Sequence, residues 1–286
     1  MRILVTGGGL LGGAIADALA SAHDVTVFDM VEPAVPRQWG CVTGDIRDPS
    51  AVAKACASAE GVVHTAALHH IHMSSFSQTE FMEINVTGTF NVLAAARDAG
   101  VRRVVQSSSA AVFAGHGPVL TDDLPAVGGD LYGLTKVFDE QLGDYFGRKH
   151  GTEVVALRYG AIWQLVADVD RPDVQEVFGG RPDLVALALG GGVTDIRDVI
   201  AANVAAVLHD GPLKGVYSVL PTTLFSEPVS DARAAVAARL PELADRLPES
   251  LTIGRFYDAA RTERALGFEI AHGQDYFLRE ALASAG

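Results

Sequence analysis

The sequence predicts an α/β fold: a doubly wound parallel sheet followed by a smaller, mostly helical part. Three observations predict it. Short β-branched runs alternate with amphipathic stretches through the first half, the pattern of successive βαβ units. A glycine-rich turn lies directly between the first such run and the first helical stretch. The composition, 49% hydrophobic and 20% charged over 286 residues, is that of a globular chain long enough to bury a core without disulfide or metal staples.

In chain order, Ile3 to Thr6 reads as a strand, Leu10 to Ala22 as an alanine-rich helix, and Asp24 to Asp29 as the second strand. The Cys41 to Thr43 region is the third. Asp48-Pro49 opens the next helix, with Asp48 as N-cap and Pro49 in the first turn. Gly61 to Ala66 is a fourth strand, followed by a long helix from Thr79 to Ala99 that stops at Gly100. Arg102 to Ser108 is a fifth strand, Tyr132 to His150 a helix closed by Gly151, and Glu153 to Tyr159 a sixth strand. After residue 163 the rhythm changes. Arg171-Pro172-Asp173, Arg181-Pro182-Asp183 and Gly190-Gly191-Gly192 interrupt the chain. Helices are expected at Asp198 to His209, Val229 to Arg239 and Gln274 to Ala283, with a strand at Gly215 to Val219. The division expected is residues 1–163 as the first domain and 164–286 as a smaller region packed on it.

Lys plus Arg number 22 and Asp plus Glu 35, a formal net charge of −13. Such a surface repels phosphate backbones and anionic lipid, which speaks against nucleic-acid and membrane partners. A local pocket can still oppose the global charge and take an anionic ligand. No stretch approaches the roughly 18 uninterrupted apolar residues of a membrane span, and a strand starting at Arg2 leaves no room for a signal peptide. Cys41 and Cys56 fall in no metal or CxxC spacing and read as free thiols. A cytoplasmic protein is expected.

The turn Thr6-Gly7-Gly8-Gly9-Leu10-Leu11-Gly12 contains GxGxxG as Gly7, Gly9 and Gly12. Glycines there permit a tight turn and let backbone approach a pyrophosphate, while the helix opening at Leu10 and Leu11 offers N–H groups and a positive dipole end. Asp29 closes the second strand, where a carboxylate can accept the adenosine ribose hydroxyls and repel a 2′-phosphate. No Arg or Lys follows it at once, so NAD is favoured over NADP. After strand three, Asp45 with Ile46 beside it is placed to reach adenine. Ala66 and Ala67, after strand four, leave space for a cofactor to lie against backbone. Together these features predict a Rossmann-type dinucleotide site.

Tyr132 and Lys136 stand four apart and share one helix face. A phenol that ordinarily titrates near ~10 is a poor base at neutral pH. An ammonium roughly 4 Å away at intermediate dielectric favours the phenolate by a few kcal/mol. Tyr132 can then exchange a proton with a substrate oxygen while a hydride moves to or from nicotinamide. Ser107, Ser108 and Ser109 end strand five, at the edge where open parallel sheets place their ligands; a serine there can hold the substrate oxygen.

These segments resemble the extended short-chain dehydrogenase/reductase family, also described as NAD-dependent epimerases/dehydratases. The matching stretches are Val62-Val63-His64-Thr65-Ala66-Ala67, Asn85-Val86-Thr87-Gly88-Thr89-Phe90-Asn91-Val92-Leu93, Ser107 to Phe113, Tyr132-Gly133-Leu134-Thr135-Lys136, Leu157-Arg158-Tyr159-Gly160 and Leu266-Gly267-Phe268-Glu269. The resemblance implies Ser109, Tyr132 and Lys136 as catalytic, Lys136 also on the nicotinamide ribose, and Asn85 in support of the cofactor site. It also implies a homodimer through the helices at 79–99 and 132–150.

The sequence departs from that pattern in several places. The glycine loop is one residue shorter than the family's TGxxGxxG. Ala110-Ala111 stand where the family's dehydratases carry an Asp-Glu pair, so elimination of water lacks its acid and base. Ala161 and Leu189-Gly190-Gly191-Gly192 stand where nucleotide-sugar epimerases carry an Asn and an Arg, which lowers the case for a diphosphate-bearing substrate. Phe113 replaces a common tyrosine. His69, His70 and His72 follow strand four on the substrate side, and no Asp, Glu or Cys joins them within the cluster, so they read as substrate contacts in preference to metal ligands. Trp163 reads either as a pocket wall or as core. The function expected is NAD-dependent hydride transfer on a secondary alcohol or ketone of a small sugar-like or hydroxylated metabolite. Two alternatives stand beside it: a sugar or nucleotide-sugar epimerase holding NAD tightly, and a dinucleotide-sensing protein without turnover.

Overall fold

In the computed structural model, which describes residues 1–284, seven parallel strands form one sheet in the order β10-β7-β5-β4-β1-β2-β3. Its first half runs β1 (Arg2–Thr6), α1 (Leu10–Ala20), β2 (Asp24–Asp29), β3 (Gly40–Thr43), α2 (Pro49–Cys56), β4 (Gly61–His64), α3 (Gln78–Phe81), a π-helical segment (Met82–Thr87), α4 (Gly88–Asp98), β5 (Arg103–Ser109), β6 (Val119–Leu120), α5 (Leu131–His150) and β7 (Glu153–Tyr159). The remainder runs β8 (Ala161–Ile162), α6 (Trp163–Val166), α7 (Pro172–Phe178), α8 (Leu184–Leu189), β9 (Val193–Thr194), α9 (Ile196–Leu208), β10 (Gly215–Val219), α10 (Ala232–Arg239), β11 (Phe256–Tyr257), α11 (Ala260–Leu266) and α12 (Gln274–Ser284).

The apolar runs of the strands are continuous because both faces of the sheet are covered. Successive side chains alternate between two cores. Ile3, Val5, Val25, Val27, Val63, Val105 and Val155 pack with Ile15 and Leu19 of α1 and Val199, Ala202 and Ala206 of α9. Leu4, Phe28, Val62, Val104 and Val154 face the other way, onto Val52 and Cys56 of α2, Val92 and Leu93 of α4, and Phe146 of α5. A third cluster, including Trp163, Leu189, Val236, Phe277 and Leu278, holds the later helices together.

Packing does not change at residue 163. Both α9 and the edge strand β10 lie beyond it, yet they complete the first core and the sheet. Buried Arg103 ties them down, donating to Glu153 Oε2 (2.6 Å) and to the carbonyls of Ala206, His209 and Gly211.

Several boundaries differ from the sequence reading. The helix expected over 79–99 is two α-helices separated by the π segment, and β4 ends at His64, two residues before Ala66. The helix expected from Val229 begins at Ala232, because the Asp231 side chain accepts the Ala234 N–H and so sets the cap there. Asp48 caps α2 through the N–H groups of Ser50 and Ala51.

Candidate functional site

Strand order reverses between β1 and β4, and the crevice at their carboxyl ends is where ligands of open α/β sheets bind. A cleft of about 1090 Å³ lies there. Its floor is formed by the loop between β1 and α1, by Asp29, Asp45 and Ile46, and by Ala66 and Ala67, with Ser109 and Tyr132 further along.

The glycine loop is shaped by close approach. Gly7 has φ +89°, and a Cβ on it would sit 2.7 Å from the Ala66 nitrogen. A Cβ on Gly12 would collide with the Gly7 carbonyl oxygen. Gly9 is the N-cap of α1 and brings no side chain to it, so the first N–H groups of that helix are free for an anion. Gly8 donates its N–H to Asp29 Oδ2 (2.5 Å) and Val31 donates to Oδ1 (2.9 Å), which fixes the carboxylate at the end of β2 beside the loop. Gly7, Gly9, Leu10, Leu11 and Gly12 all line the cleft. This donor set fits a dinucleotide: a glycine cradle with uncapped helix N–H groups for the pyrophosphate, and a fixed carboxylate for a ribose. Asp45 also lines the cleft, but its carboxylate is bound by the Arg47 guanidinium (2.6 and 2.9 Å), which lowers its pKa and leaves it less free for adenine than the sequence suggested.

At the other end, α5 is capped by Asp130, whose side chain accepts the Gly133 N–H (2.7 Å) and whose other oxygen lies 2.8 Å from His70 Nε2. The cap aims Tyr132 into the cleft, 6% exposed, with its hydroxyl 3.3 Å from His69 Nδ1 and its ring edge-on to His70 at 4.5 Å. His72 accepts the His69 backbone N–H (2.9 Å). The histidines are thus engaged with Tyr132, Asp130 and one another. Among the described residues, no group of three or more His, Cys, Asp or Glu side chains is arranged to hold a metal. Ser109, at the end of β5, accepts the Ala111 N–H (3.1 Å) and favours ionised Tyr132.

The structure bears on four expectations. Burial outweighs the Lys136 ammonium, so Tyr132 titrates above the ordinary tyrosine range, not below it. Lys136 itself is not part of the cleft lining: its Nζ points into the protein, 3.0 Å from Asp139 Oδ2 and donating to the Ser107 carbonyl (3.2 Å). Asn85 is likewise fully buried and does not line the cleft. Its Oδ1 accepts the Leu68 N–H (2.7 Å), and its Nδ2 donates to the Leu68 carbonyl and to Thr135 Oγ1 (both 3.0 Å). It therefore clamps the segment after β4 to α5. Trp163 is core, 3% exposed and packed on Phe277 at 5.1 Å, because α12 covers the face it would have turned to a substrate.

The sequence reading missed the far wall of the cleft, formed by Leu165, Val174, Val177 and Phe178 of α6 and α7 together with Arg255. It also missed a buried chain in which Thr6 Oγ1 lies 2.6 Å from His64 Nδ1 and His64 Nε2 lies 2.9 Å from Thr89 Oγ1. Thr89 gives its proton to the Asn85 carbonyl (2.5 Å) and so accepts from His64 Nε2–H. Burial and the nearby Lys136 push His64 down to about 3, which keeps it neutral.

Residues 3–162 match the model of the NAD dependent epimerase/dehydratase family. The L-arabinose 1-dehydrogenase (NAD(P)(+)) of Haloferax volcanii is 34% identical over 227 residues, 74% of this chain and 85% of that enzyme. The UDP-glucose 4-epimerase of Corynebacterium glutamicum is 32% identical over 166 residues, 56% of this chain and half of that enzyme's length. A short-chain dehydrogenase/reductase superfamily protein from Agrobacterium tumefaciens, solved with bound NAD, superposes with a TM-score of 0.73 at 26% identity, covering 100% of this chain and 97% of its own. With the parallel sheet, glycine cradle and Tyr132 helix in place, these matches establish that the chain belongs to the NAD-dependent epimerase/dehydratase family and is an NAD-using enzyme.

Proposed function

We propose that the protein is an NAD-dependent dehydrogenase/reductase that interconverts a secondary alcohol and its ketone or lactone in a small sugar-like or hydroxylated metabolite. The observation that carries this reading is the position of Tyr132: its hydroxyl faces the cleft between His69 and the end of β5, on the ligand-binding edge of the sheet. Bound NAD supplies a hydride acceptor at its nicotinamide. Gly7, Gly9, Leu10, Leu11 and Gly12 would hold its pyrophosphate, Asp29 its adenosine ribose, Asp45 and Ile46 its adenine side, and Ala66 and Ala67 its underside. Tyr132 exchanges the proton of the reacting oxygen, Ser109 orients that oxygen, and His69 and His70 contact the substrate. Lys136 acts on Tyr132 from behind. The dehydrogenase is matched at 34% identity over 85% of its length, whereas the UDP-glucose 4-epimerases are matched at 27 to 32% over 50 to 68% of theirs, and this favours net oxidation over epimerisation.

In the same reading two copies pair through α4 and α5, where Phe90 and Tyr145 leave aromatic surface exposed. Residues 1–163 carry the cofactor and the reacting groups, and 164–286 shape the substrate end. The free cysteines Cys41 and Cys56 suit a reducing, cytoplasmic setting.

The test begins with the purified protein's NAD content, read by absorbance after denaturation. NADH formation is then followed with added NAD and a panel of sugars, sugar acids and secondary alcohols. NADH stoichiometric with oxidised product supports the dehydrogenase. Tightly retained NAD with stereochemical inversion and no net NADH overturns it in favour of an epimerase.

A further inference from the structure

Besides its histidines, the cleft lining carries five charged side chains, and four of them are bonded within the protein. Asp29 is held by the Gly8 and Val31 N–H groups, Asp45 by the Arg47 guanidinium, and Asp130 by His70 and the Gly133 N–H. Arg171 donates to both oxygens of Asp173 (3.0 and 2.6 Å). Arg255 is the fifth. It is half-buried in the far wall, and among the described residues its guanidinium has no hydrogen bond or ion pair. The chain has 35 Asp and Glu against 22 Lys and Arg, yet no carboxylate is set against this cation. A charge that loses part of its hydration with no partner in return is costly.

The fold fixes where Arg255 stands. Gly254 donates its N–H to the Leu189 carbonyl (3.0 Å) and Phe256 donates to the Pro118 carbonyl (2.8 Å), so the chain is tied on both sides of it. Gly191, at φ +64°, leaves room for the approach: a Cβ there would lie 3.0 Å from the Arg255 carbonyl oxygen. The next residue, Gly192, accepts the Ala161 N–H (2.7 Å), and Ala161 follows closely on Tyr159, the partner of Ser109 across β5 and β7. Three steps of a strand spacing therefore separate the backbones of Ser109 and Arg255, on the order of 15 Å or less. The arginine side chain takes up much of that distance, which leaves room for a single ring or a short chain.

No other free cation stands at this end. His69 is pushed down to about 3 by burial and by Lys136, and burial lowers His72, so neither adds charge at neutral pH. His70 faces Asp130, and the Lys136 ammonium is turned inward to Asp139. What remains is one positive charge on a planar group with parallel N–H donors, beside the apolar side chains of Leu165, Val174, Val177 and Phe178. That matches a carboxylate in charge and in shape. A phosphate dianion or a diphosphate exceeds it, and a neutral sugar leaves it unmatched.

We propose that Arg255 is the anion-binding residue of this site and that the substrate is a hydroxy acid: a secondary alcohol or lactol whose carboxylate pairs with the Arg255 guanidinium. The inference rests on the dehydrogenase reading, which puts the reacting alcohol at Ser109 and Tyr132, and it names the group at the other end of the same molecule. In oxidation the carbinol carbon gives a hydride to NAD and the hydroxyl proton leaves through Tyr132. The products are NADH and a keto acid or lactone acid; the carboxylate takes no part in the transfer.

The experiment measures kcat and KM with NAD for matched compounds. Sugar acids are set against the neutral sugars and sugar phosphates of the same configuration and against UDP-glucose, and simple 2- and 3-hydroxy acids against their amides. The wild-type protein is expected to favour the acids by about 10²-fold in kcat/KM. Arg255→Gln is expected to lose that preference, mostly as a rise in KM, and Arg255→Lys, which keeps the charge without the fork, to recover about tenfold of it. NADH affinity, read by fluorescence, checks that the cofactor site of each variant is intact. Neutral sugars or amides turned over as fast as the acids, or an acid KM that survives Arg255→Gln, overturn the proposal and leave the dehydrogenase standing. A preference for sugar phosphates or UDP-glucose overturns it as well. Where no compound yields NADH, calorimetry on the NADH-loaded protein decides. Acid binding that Arg255→Gln abolishes supports the role of Arg255 and tells against hydride transfer, while an absence of acid binding overturns the proposal.

Discussion

Asn85→Ala tests whether the segment after β4 is held for ligand binding by one buried amide. The wild-type side chain accepts the Leu68 N–H, donates to the Leu68 carbonyl and donates to Thr135 Oγ1, and no water reaches it. Truncation leaves both polar groups of the Leu68 backbone without those partners and removes an acceptor-side bond at Thr135. With about 1 to 3 kcal/mol for each buried group left unsatisfied, the expected loss is about 4 kcal/mol. For a chain of this length that lowers the unfolding midpoint by about 7 °C. Because Ala66, Ala67 and His69 sit on the same segment, NAD affinity should fall on the order of tenfold, equivalent to about 1.4 kcal/mol. Thr135→Val removes one bond of the set together with the hydroxyl's donation to the Tyr132 carbonyl (2.7 Å), and should cost about 2 kcal/mol with little change in NAD affinity. Thermal unfolding and a fluorescence titration with NADH measure both quantities. An Asn85→Ala protein that keeps its midpoint within about 2 °C and its NADH affinity within about twofold refutes the clamp.

Tyr132→Phe should leave NADH binding unchanged and lower turnover by about 10²- to 10⁴-fold, since only the proton-exchanging oxygen is lost; a variant retaining a large share of the rate would assign that proton elsewhere. Gly12→Ala pushes a methyl group into the Gly7 carbonyl oxygen, so NAD binding should be lost in calorimetry even where the circular dichroism spectrum survives. Asp29→Ala removes the charge fixed by the Gly8 and Val31 N–H groups and should raise the ratio of NADP to NAD affinity on the order of tenfold. Light scattering should give the mass of two chains, and Phe90→Glu with Tyr145→Glu should give one; a wild-type monomer at micromolar concentration removes the dimer.

The sheet was legible because both of its faces are buried. Runs such as Ile3-Leu4-Val5 and Val62-Val63 carry no polar alternation, and that is what a strand covered by helices on both sides requires. A helix start was legible at Asp48, where a capping side chain stands directly before a proline, but the cap at Asp231 was missed, and so was the change inside the helix expected over 79–99. The periodicity from 79 to 99 is continuous, yet Met82–Thr87 winds as a π segment, and only the bonds from Asn85 to Leu68 show what that wider turn carries. The second half was read as a smaller region packed on the first because its rhythm changes after residue 163. That α9 and β10 complete the sheet itself depends on long-range partners of Arg103 that local pattern does not reveal.

The candidate site divides along the same line. Glycines, Asp29, Ser109 and Tyr132 were readable because each answers to a local backbone demand or to a fixed offset along one helix. Asp139 had a signal of the same kind. Tyr132, Lys136, Asp139 and Gly143 fall on one face of α5, and a carboxylate on a face that must be buried is an anomaly visible in the spacing alone. What the spacing does not give is the partner. From sequence, Lys136 was assigned to Tyr132 and to a ribose; in the fold its ammonium is already bonded to Asp139 and to the Ser107 carbonyl. The tyrosine–lysine offset therefore fixes which groups are neighbours, while the ionisation of Tyr132 is governed first by its burial, which the offset does not mention. Burial of the phenol is why the direction of its titration came out opposite to the one the two residues predict by themselves.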